Sequence, residues 1–578
     1  MKYFGRITKT LLLLIVPNIM MAYDFSVDGI YYNLVESNGS MVAEVTSASQ
    51  DYAGTVVIPS TVNYNGTSYP VTTIGDAAFY DCEKLLSVTI PNSVSVIGVD
   101  AFAYCTGLTT ITLPNSLTTI MYDAFYESGL TSVHIPSSVT SIDGNVFRGC
   151  VSLNTVSVAA GNTYYDSRNN CNAIVDTESD WIVTGTNNTV IPDDVYGIGM
   201  SAFAYCTGIT ALHFHSRMKT VGQSAFYGCS NLKTLYIPQK LITIEAGAFG
   251  GCGALMSITV EDGNKKYDSR NSCNAIIETE TNTLLFGCKN TSIPSDVKII
   301  AAGAFSECGG LNDVTLPEGL TTIKSSAFLN CSGLTTISFP STLTNIESSA
   351  FEGCTGLTSV SIPASVTKIG NFPFKGCTAL TSIIVDENNT KYDSRDQSNT
   401  IIQTSTNKLL QGCATSSIPS GVTELVNSCF AGMGNLTSIA IPSTVTKMGS
   451  SCFEKCDRLT IVSVDIAVPL KINRSFFTNR SNATLYVPVG CRAAYAAADF
   501  WKEFRTIKEG SAIFVPGDAN GDGVVNEEDY HAVSLYIKGQ APDNFDERAA
   551  DVNKDGIINV ADYVGIAHII LYGTIEHE

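Results

Sequence analysis

One phenylalanine, usually behind a small residue, returns along this chain with a rhythm that constrains everything else. It stands at Phe79, Phe102, Phe125, Phe147, Phe203, Phe226, Phe249, Phe305, Phe328, Phe351, Phe430 and Phe453, with Phe374 in a "PF" variant, and most steps are 23 residues. One unit reads "AFEGCTGLTSVSIPASVTKIG", in which Phe351, Leu357, Val360, Ile362, Val366 and Ile369 are the apolar positions. So small a unit cannot close a core of its own, and successive units must stack as coils of a solenoid. In "LTSVSIP" the alternation turns Val360 and Ile362 inward and Ser361 outward, which predicts a short strand in a parallel sheet along one face, ended by Pro363. The "SSAFEGC" portion reads as a tight turn or a single helical turn on the other face, with its Phe wedged between coils.

Three steps break the rhythm. Phe147 to Phe203, Phe249 to Phe305 and Phe374 to Phe430 each span 56 residues, which is 23 plus an insertion of 33. The insertions, near 159–191, 261–293 and 386–418, begin where Ala159, Glu261 or Asp386 replaces the strand-ending Pro. They share "YDSR" followed by two apolar runs around a polar turn, so each is expected to form a β-hairpin. Tyr165, Asp166 and Arg168 recur as Tyr267, Asp268 and Arg270 and as Tyr392, Asp393 and Arg395. A trio present in every insertion is read as fixing the insertion's fold rather than as a ligand site.

The formal charge of −20 over 578 residues is uneven, because half of it falls between Gly517 and Glu578. That balance argues against nucleic acid or anionic lipid as partner and suits cations or basic protein surfaces. Lys2, Arg6 and Lys9 precede an apolar run from Leu11 to Met21, the pattern of a secretory leader over 1–22, and no later stretch is long enough to span a bilayer. An exported, bacterial, secreted or surface-held protein is therefore expected.

Of 18 cysteines, eleven from Cys82 to Cys456 lie three residues after a repeat Phe, with Ser128 and Met433 in the same place elsewhere. That fits a ladder of buried thiols better than a disulfide framework. Cys273 and Cys288 face each other in one insertion only, which argues against a general disulfide there. His213 and His215 share a strand face but bring no third ligand, so an exposed polar face is the better reading. His213 and Tyr236, on adjacent coils, interrupt a run of small outward polar residues and mark a candidate partner-binding patch. No nucleophile elbow, H-E-x-x-H or phosphate loop is present, and Trp501 near the end of the repeats is the one aromatic that could serve a glycan site; no catalytic residues are assigned and the chain is read as a non-enzyme.

Two oxygen-rich loops end the chain. Asp518, Asn520, Asp522, Val524 through its carbonyl, Asn526 and Asp529 fall at positions 1, 3, 5, 7, 9 and 12 of a calcium loop; Asp551, Asn553, Asp555, Ile557, Asn559 and Asp562 repeat the set 33 residues on. Gly523 and Gly556 stand at position 6, where the chain turns sharply. Oxygen-only sites favour Ca²⁺ over zinc or copper, and two ions are expected. An apolar helical pattern follows each loop, and none precedes it.

The "AFxxCxxLTxIxIPxSVTxIG" units resemble the BspA-type leucine-rich repeats of bacterial surface proteins, over about three-quarters of the chain. The segments "YDFSVDGIYYNLVE" and "ATLYVPVGCRAAYAAADFWKEFRTIKE" resemble that family's caps, which solenoid ends require. The paired loop-then-helix tail resembles a type I dockerin. The resemblance implies a β-rich solenoid with a parallel sheet on one face, turns or short helices on the other and hairpin insertions, plus a small all-α calcium-loop domain. The expected boundaries are an N-terminal β cap over 23–70, repeats over 71–487, a C-terminal cap over 488–510 and the dockerin-like domain over 511–578. It implies adhesion to host or bacterial surface proteins by the solenoid and a cohesin-like partner for the tail; the alternative is a component of a multiprotein assembly in glycan use, with the solenoid as targeting module. Where many dockerins carry Ser/Thr at positions 10 and 11, this chain has Glu527 and Glu528 in one loop and Val560 and Ala561 in the other, which makes these four the candidate docking residues and the two faces unlike.

Overall fold

The structure is a computed structural model that describes residues 23–37, 39–47, 52–510, 517–520, 525–540, 542, 545–553 and 555–572. The leader reading at 1–22, the segment 511–516 and the loop residues Asp522, Gly523 and Val524 lie outside the described residues. Two compact units divide the chain, Met1–Cys206 and Thr207–Glu578. Among the described residues no helix is long and apolar enough to cross a membrane.

Each repeat forms one coil, and the coil's outward-facing strand is as the alternation predicts. Ser359–Ile362 pairs in parallel with Ser382–Val385; Val360 and Ile362 are buried while Ser359 and Ser361 are exposed. In the first unit Ser132–Ile135 pairs the same way with Thr155–Val158. At 311–316 the burial alternation persists without a strand. A second parallel ladder runs through the "TxIG" stretch and is built from two-residue strands: Val96–Ile97, Thr119–Ile120 and Ser141–Ile142 in the first unit, and Ile299–Ile300, Thr322–Ile323, Asn345–Ile346 and Lys368–Ile369 in the second.

The far side is all turn, with no helix. The Phe N–H donates across to the next coil, from Phe102 to the Ala124 carbonyl at 2.7 Å and from Phe328 to that of Ala350 at 2.8 Å. Such turns need left-handed backbone two residues either side of the Phe, as at Ser349 (φ 56°) and Gly353 (φ 74°) around Phe351, and glycine at the second place adopts it without strain. The rings then stack nearly parallel, 4.9 Å from Phe79 to Phe102 and 5.0 Å from Phe305 to Phe328 and again to Phe351.

All 18 cysteines are free thiols, and seven of the eleven that follow the Phe share a hydrogen bond to an earlier Phe carbonyl. The Cys105 Sγ donates to the Phe79 carbonyl at 3.0 Å, and Cys331, Cys354, Cys377 and Cys456 donate to the Phe carbonyls one coil earlier at 3.1–3.2 Å. A small, weakly polar donor thus adds a second partner to a carbonyl that already accepts the N–H three residues on, as Phe328 does from Cys331. Burial pushes the Cys105, Cys354 and Cys456 thiols up to about 12, which leaves almost no thiolate at neutral pH. Cys273 and Cys288 are both buried free thiols turned to the Ala275 and Asn274 carbonyls.

The insertions carry the expected hairpin and one strand more. Ile174–Asp176 pairs antiparallel with Trp181–Thr184, and Tyr165–Asp166 adds a third strand on the outside. The same meander recurs at Tyr267–Asp268, Ala275–Glu278 and Thr283–Gly287, and at Tyr392–Asp393, Ile401–Gln403 and Lys408–Gln411. The recurring trio builds it. The Tyr165, Tyr267 and Tyr392 hydroxyls accept from the backbone N–H of Ile142, Ile244 and Ile369, and each Arg guanidinium grips the Asp two residues before it. An unanticipated fourth member, Asn162, Asn264 or Asn389, donates its amide to two carbonyls of the preceding coil and accepts from the Tyr N–H. Each insertion closes on a glycine: Gly185, Gly287 and Gly412 donate N–H to the turn carbonyl a Phe would have reached, and a Cβ there would meet the next Phe ring at 2.0–2.1 Å.

Aromatic plugs close the ends. In the first unit the antiparallel strands Phe25–Val27, Ile30–Ser37 and Ser40–Thr46 lead into Thr67–Ile74, and the Tyr52 ring lies 4.6 Å from Phe79. In the second, Trp501 covers Phe477 and is itself met edge to face by Tyr495 of helix α1 (Arg492–Ala497). Trp501 is 1% exposed and its indole N–H donates to the Leu470 carbonyl, so it is a core plug and offers no glycan platform.

Phe328→Ala should cost about 3–5 kcal/mol, read as a lower denaturant midpoint, because a fully buried ring between two others is lost. A thiol reagent at pH 7.5 should label at most Cys206 and Cys491, the two that are not fully buried, until denaturant exposes all 18.

Candidate functional site

The C-terminal module is helical and small. Its helices are α2 (Glu527–Ile537), α3 (Glu547–Ala550) and α4 (Val560–Tyr572), packed on a core of Ala519, Ala532, Val533, Ala550, Val552 and Ile566. Tyr530 and Tyr563, each one residue past a loop's twelfth position, meet edge to face at 5.2 Å, so the two halves pack as related copies. Gly517 donates to the Ala549 carbonyl and Asp546 to that of Ala519, which ties the first loop to the start of the second half.

In the second loop the predicted residues converge. Carboxylate oxygens of Asp551, Asp555 and Asp562 lie within 4.8 Å of one another. The loop is wound around them: Asp551 accepts from the N–H of Asp555 and Gly556, Asp555 from that of Ile557, and Gly556 takes φ +81°. Asp562 is fully buried; one oxygen accepts from the Asn553 N–H and the other from that of Asn559 at 3.0 Å, while the Asn559 side chain accepts from Ala561. Asn553 turns its amide to Asp555, and Asn559 its amide to the Ile557 carbonyl.

The described part of the first loop repeats this. Asp529 is fully buried and accepts from the N–H of Asn520 at 2.9 Å and of Asn526 at 2.8 Å, and the Asn526 side chain accepts from Glu528. Asp518 is buried as well. In both loops the position-12 aspartate is therefore the N-cap partner of the helix that follows, with Asn526 and Asn559 as the caps. The shorter Asp suits that double role, since it holds both backbone N–H groups while staying at the loop centre. Three carboxylates within 4.8 Å repel by on the order of 1 kcal/mol or more per pair, and an oxygen donor set of this kind fits a hard divalent cation.

The candidate docking residues differ as the sequence implies. Glu527 and Glu528 are exposed in the first turn of α2, and Val560 and Ala561 are exposed in the first turn of α4. Sequence reading missed that Val560 continues into a solvent-facing apolar stripe with Val564 and Leu571, although their spacing along one helical face carried the signal.

On the solenoid of the second unit, Ala211–His213 pairs in register with Thr234–Ile237, so His213 and Tyr236 stand side by side. Their rings stack at 4.2 Å and 7°, with His213 exposed. Burial and then the nearby Glu261 raise the Tyr236 phenol. His215 accepts from the Arg217 N–H through Nδ1.

Among known families, the model described as "BspA type Leucine rich repeat region" matches residues 72–175, 183–282, 277–403 and 399–493, and the model for the "Dockerin type I domain" matches 516–571. Similar solved structures include a leucine-rich repeat protein from Eubacterium ventriosum, 25% identical with a TM-score of 0.40, covering 57% of this chain and 93% of that one. Another, from Bacteroides ovatus, is 20% identical with a TM-score of 0.29, covering 80% and 100% respectively. The pneumococcal vaccine antigen PcpA is 18% identical with a TM-score of 0.32, covering 84% and 98%. No curated protein matches. Both matched families are binding modules; type I dockerins bind calcium and dock to cohesins, and both modules are typical of extracellular or surface bacterial proteins. With the repeat match extending over most of its length, the chain belongs to the BspA-type leucine-rich repeat family and carries a type I dockerin domain at its C-terminal end.

Proposed function

We propose that this is an exported, non-enzymatic binding protein whose repeats present an adhesion surface to host or bacterial surface proteins and whose C-terminal module docks to a cohesin-like partner. The observation that carries the reading is the convergence of Asp551, Asp555 and Asp562 inside a module whose two helix starts present unlike surfaces. The repeats run over 71–487, between caps at 23–70 and 488–510, and the docking module follows at 511–578.

Two calcium ions fold that module. Asp518, Asn520, Asp522, Asn526 and Asp529, with the Val524 carbonyl, hold one; Asp551, Asn553, Asp555, Asn559 and Asp562, with the Ile557 carbonyl, hold the other. Each ion supplies the positive charge that offsets the crowded carboxylates, and the protein's residues do the rest. Asp529 and Asp562 couple the loop to its helix, because the same carboxylate that faces the loop centre also holds the backbone at the helix start.

Docking uses the helix starts. Val560 and Ala561 begin an exposed apolar stripe that a partner would desolvate, whereas Glu527 and Glu528 ask for a basic complement. On the solenoid, the stacked His213–Tyr236 pair is the patch that a protein ligand would cover.

Isothermal titration of the full chain should find two calcium sites, one of which is lost in Asp551→Ala/Asp555→Ala; calcium at 100 times its Kd should stabilise the module by about 2.7 kcal/mol, and equal melting in chelator and calcium would refute calcium folding. Cohesin capture should require calcium and should fall at least tenfold in Val560→Asp/Ala561→Asp or in Glu527→Lys/Glu528→Lys, while His213→Ala/Tyr236→Ala should leave it unchanged and weaken only binding to the solenoid's own ligand.

A further inference from the structure

The turn side of the first unit carries a second regularity, which its 23-residue repeat does not require. The two residues after each Phe read Tyr80-Asp81, Ala103-Tyr104, Tyr126-Glu127, Arg148-Gly149 and Ala204-Tyr205. Tyrosine alternates between the two places, and alanine stands beside it whenever it takes the second, so successive rings interleave. Tyr80 and Tyr104 meet edge to face at 5.4 Å and 75°, and Tyr104 and Tyr126 at 5.2 Å and 87°. Tyr80 is 46% exposed, and Tyr104 and Tyr126 are half-buried. In the second unit the same places hold pairs such as Gly250-Gly251, Ser306-Glu307, Leu329-Asn330 and Glu352-Gly353, so the fold itself does not call for aromatic residues there.

Arg148 shows what such a surface takes. Its guanidinium carbon lies 5.3 Å from the Tyr126 ring centre and 5.9 Å from that of Tyr205, so the strip is already capped at one end by a cation. Carboxylates crowd the same side. Asp123 is pushed up to about 6 by burial and then by Asp100, and Arg148 pulls it back down. Burial, Tyr104, Asp81 and Asp100 together raise the Tyr80 phenol. Among the described residues no cation stacks on Tyr80 or Tyr104.

We propose that Tyr80 and Tyr104, edged by Asp81 and Asp100, form a binding strip for an extended basic polypeptide segment, whose Lys or Arg side chains take the position over these rings that Arg148 takes over Tyr126. The coils advance in step with the rings, so a chain lying along the strip meets one ring and one carboxylate per coil. A sugar chain is the weaker fit: neighbouring rings stand edge to face rather than coplanar, and flanking carboxylates add nothing for a neutral ligand. The strip shares no residue with the calcium module or with the His213–Tyr236 pair.

The test uses the full chain and a nona-arginine peptide in fluorescence anisotropy, with an uncharged Gly/Ser peptide and a neutral oligosaccharide as competitors. Tyr80→Ala/Tyr104→Ala leaves the net charge unchanged and should weaken binding by about fivefold or more, whereas Tyr80→Phe/Tyr104→Phe should retain it, because the ring face rather than the hydroxyl makes the contact. Asp81→Asn/Asp100→Asn should also weaken binding and flatten its salt dependence, while Glu36→Gln/Glu178→Gln, the same charge change elsewhere in the unit, should not. Wild-type affinity in the folded alanine variant, equal loss in the Glu36/Glu178 control, loss in the phenylalanine variant, or equal competition by the neutral oligosaccharide would each overturn the proposal.

Discussion

Everything in the repeats depends on one coincidence of register: the Phe ring stacks on its neighbour at the same place where its backbone N–H reaches across to the next coil. Ring stacking alone would allow coils to slip, and a hydrogen bond alone would not exclude water. Together they tie each coil to the next in one register, and they hold where the step departs from the usual length, as from Phe125 to Phe147 and from Phe453 to Phe477, because the extra or missing residue is taken up elsewhere in the coil. The cysteine three places later belongs to the same device, since its thiol serves the Phe carbonyl that faces the other way. This is why so many thiols are retained in a chain with no disulfide: serine fills the place at Ser128, where its hydroxyl lies 3.3 Å from the Cys150 thiol, and Met433 fills it with bulk alone.

Much of this was legible in the residues because the solenoid repeats its own evidence. The inward set Val360 and Ile362, the Phe stack and the buried thiols each recur often enough that a chance pattern fails. What was not legible was short or conditional. The second ladder uses strands of two residues, too few for alternation to register. The third strand of each insertion is likewise two residues, and its anchor Asn389 looks like an ordinary turn residue until its amide is seen spanning two carbonyls of the coil before. Trp501 read as an available aromatic because sequence does not say which side of a cap faces the core.

The calcium module was legible for a different reason: ligand spacing in a calcium loop is a property of local sequence, and doubling removes ambiguity. Convergence of Asp551, Asp555 and Asp562 follows from the glycine turn and the backbone N–H groups that hold them. The stripe through Val560, Val564 and Leu571 was harder to see, because an apolar helix is normally assigned to a core, and only the packing of α4 on Ala532 and Val533 shows which of its residues are left outside.

Gly185, Gly287 and Gly412 give the insertions a further property. Each opens by dropping the proline that would have ended a strand and closes by offering a glycine N–H where a phenylalanine N–H belongs, so the chain leaves an insertion in the same phase in which it entered. Such a segment behaves as a removable cassette. A coil can gain or lose one without renumbering its neighbours' contacts, and a lineage can lengthen or shorten the solenoid by unequal exchange while every remaining phenylalanine still finds its stack.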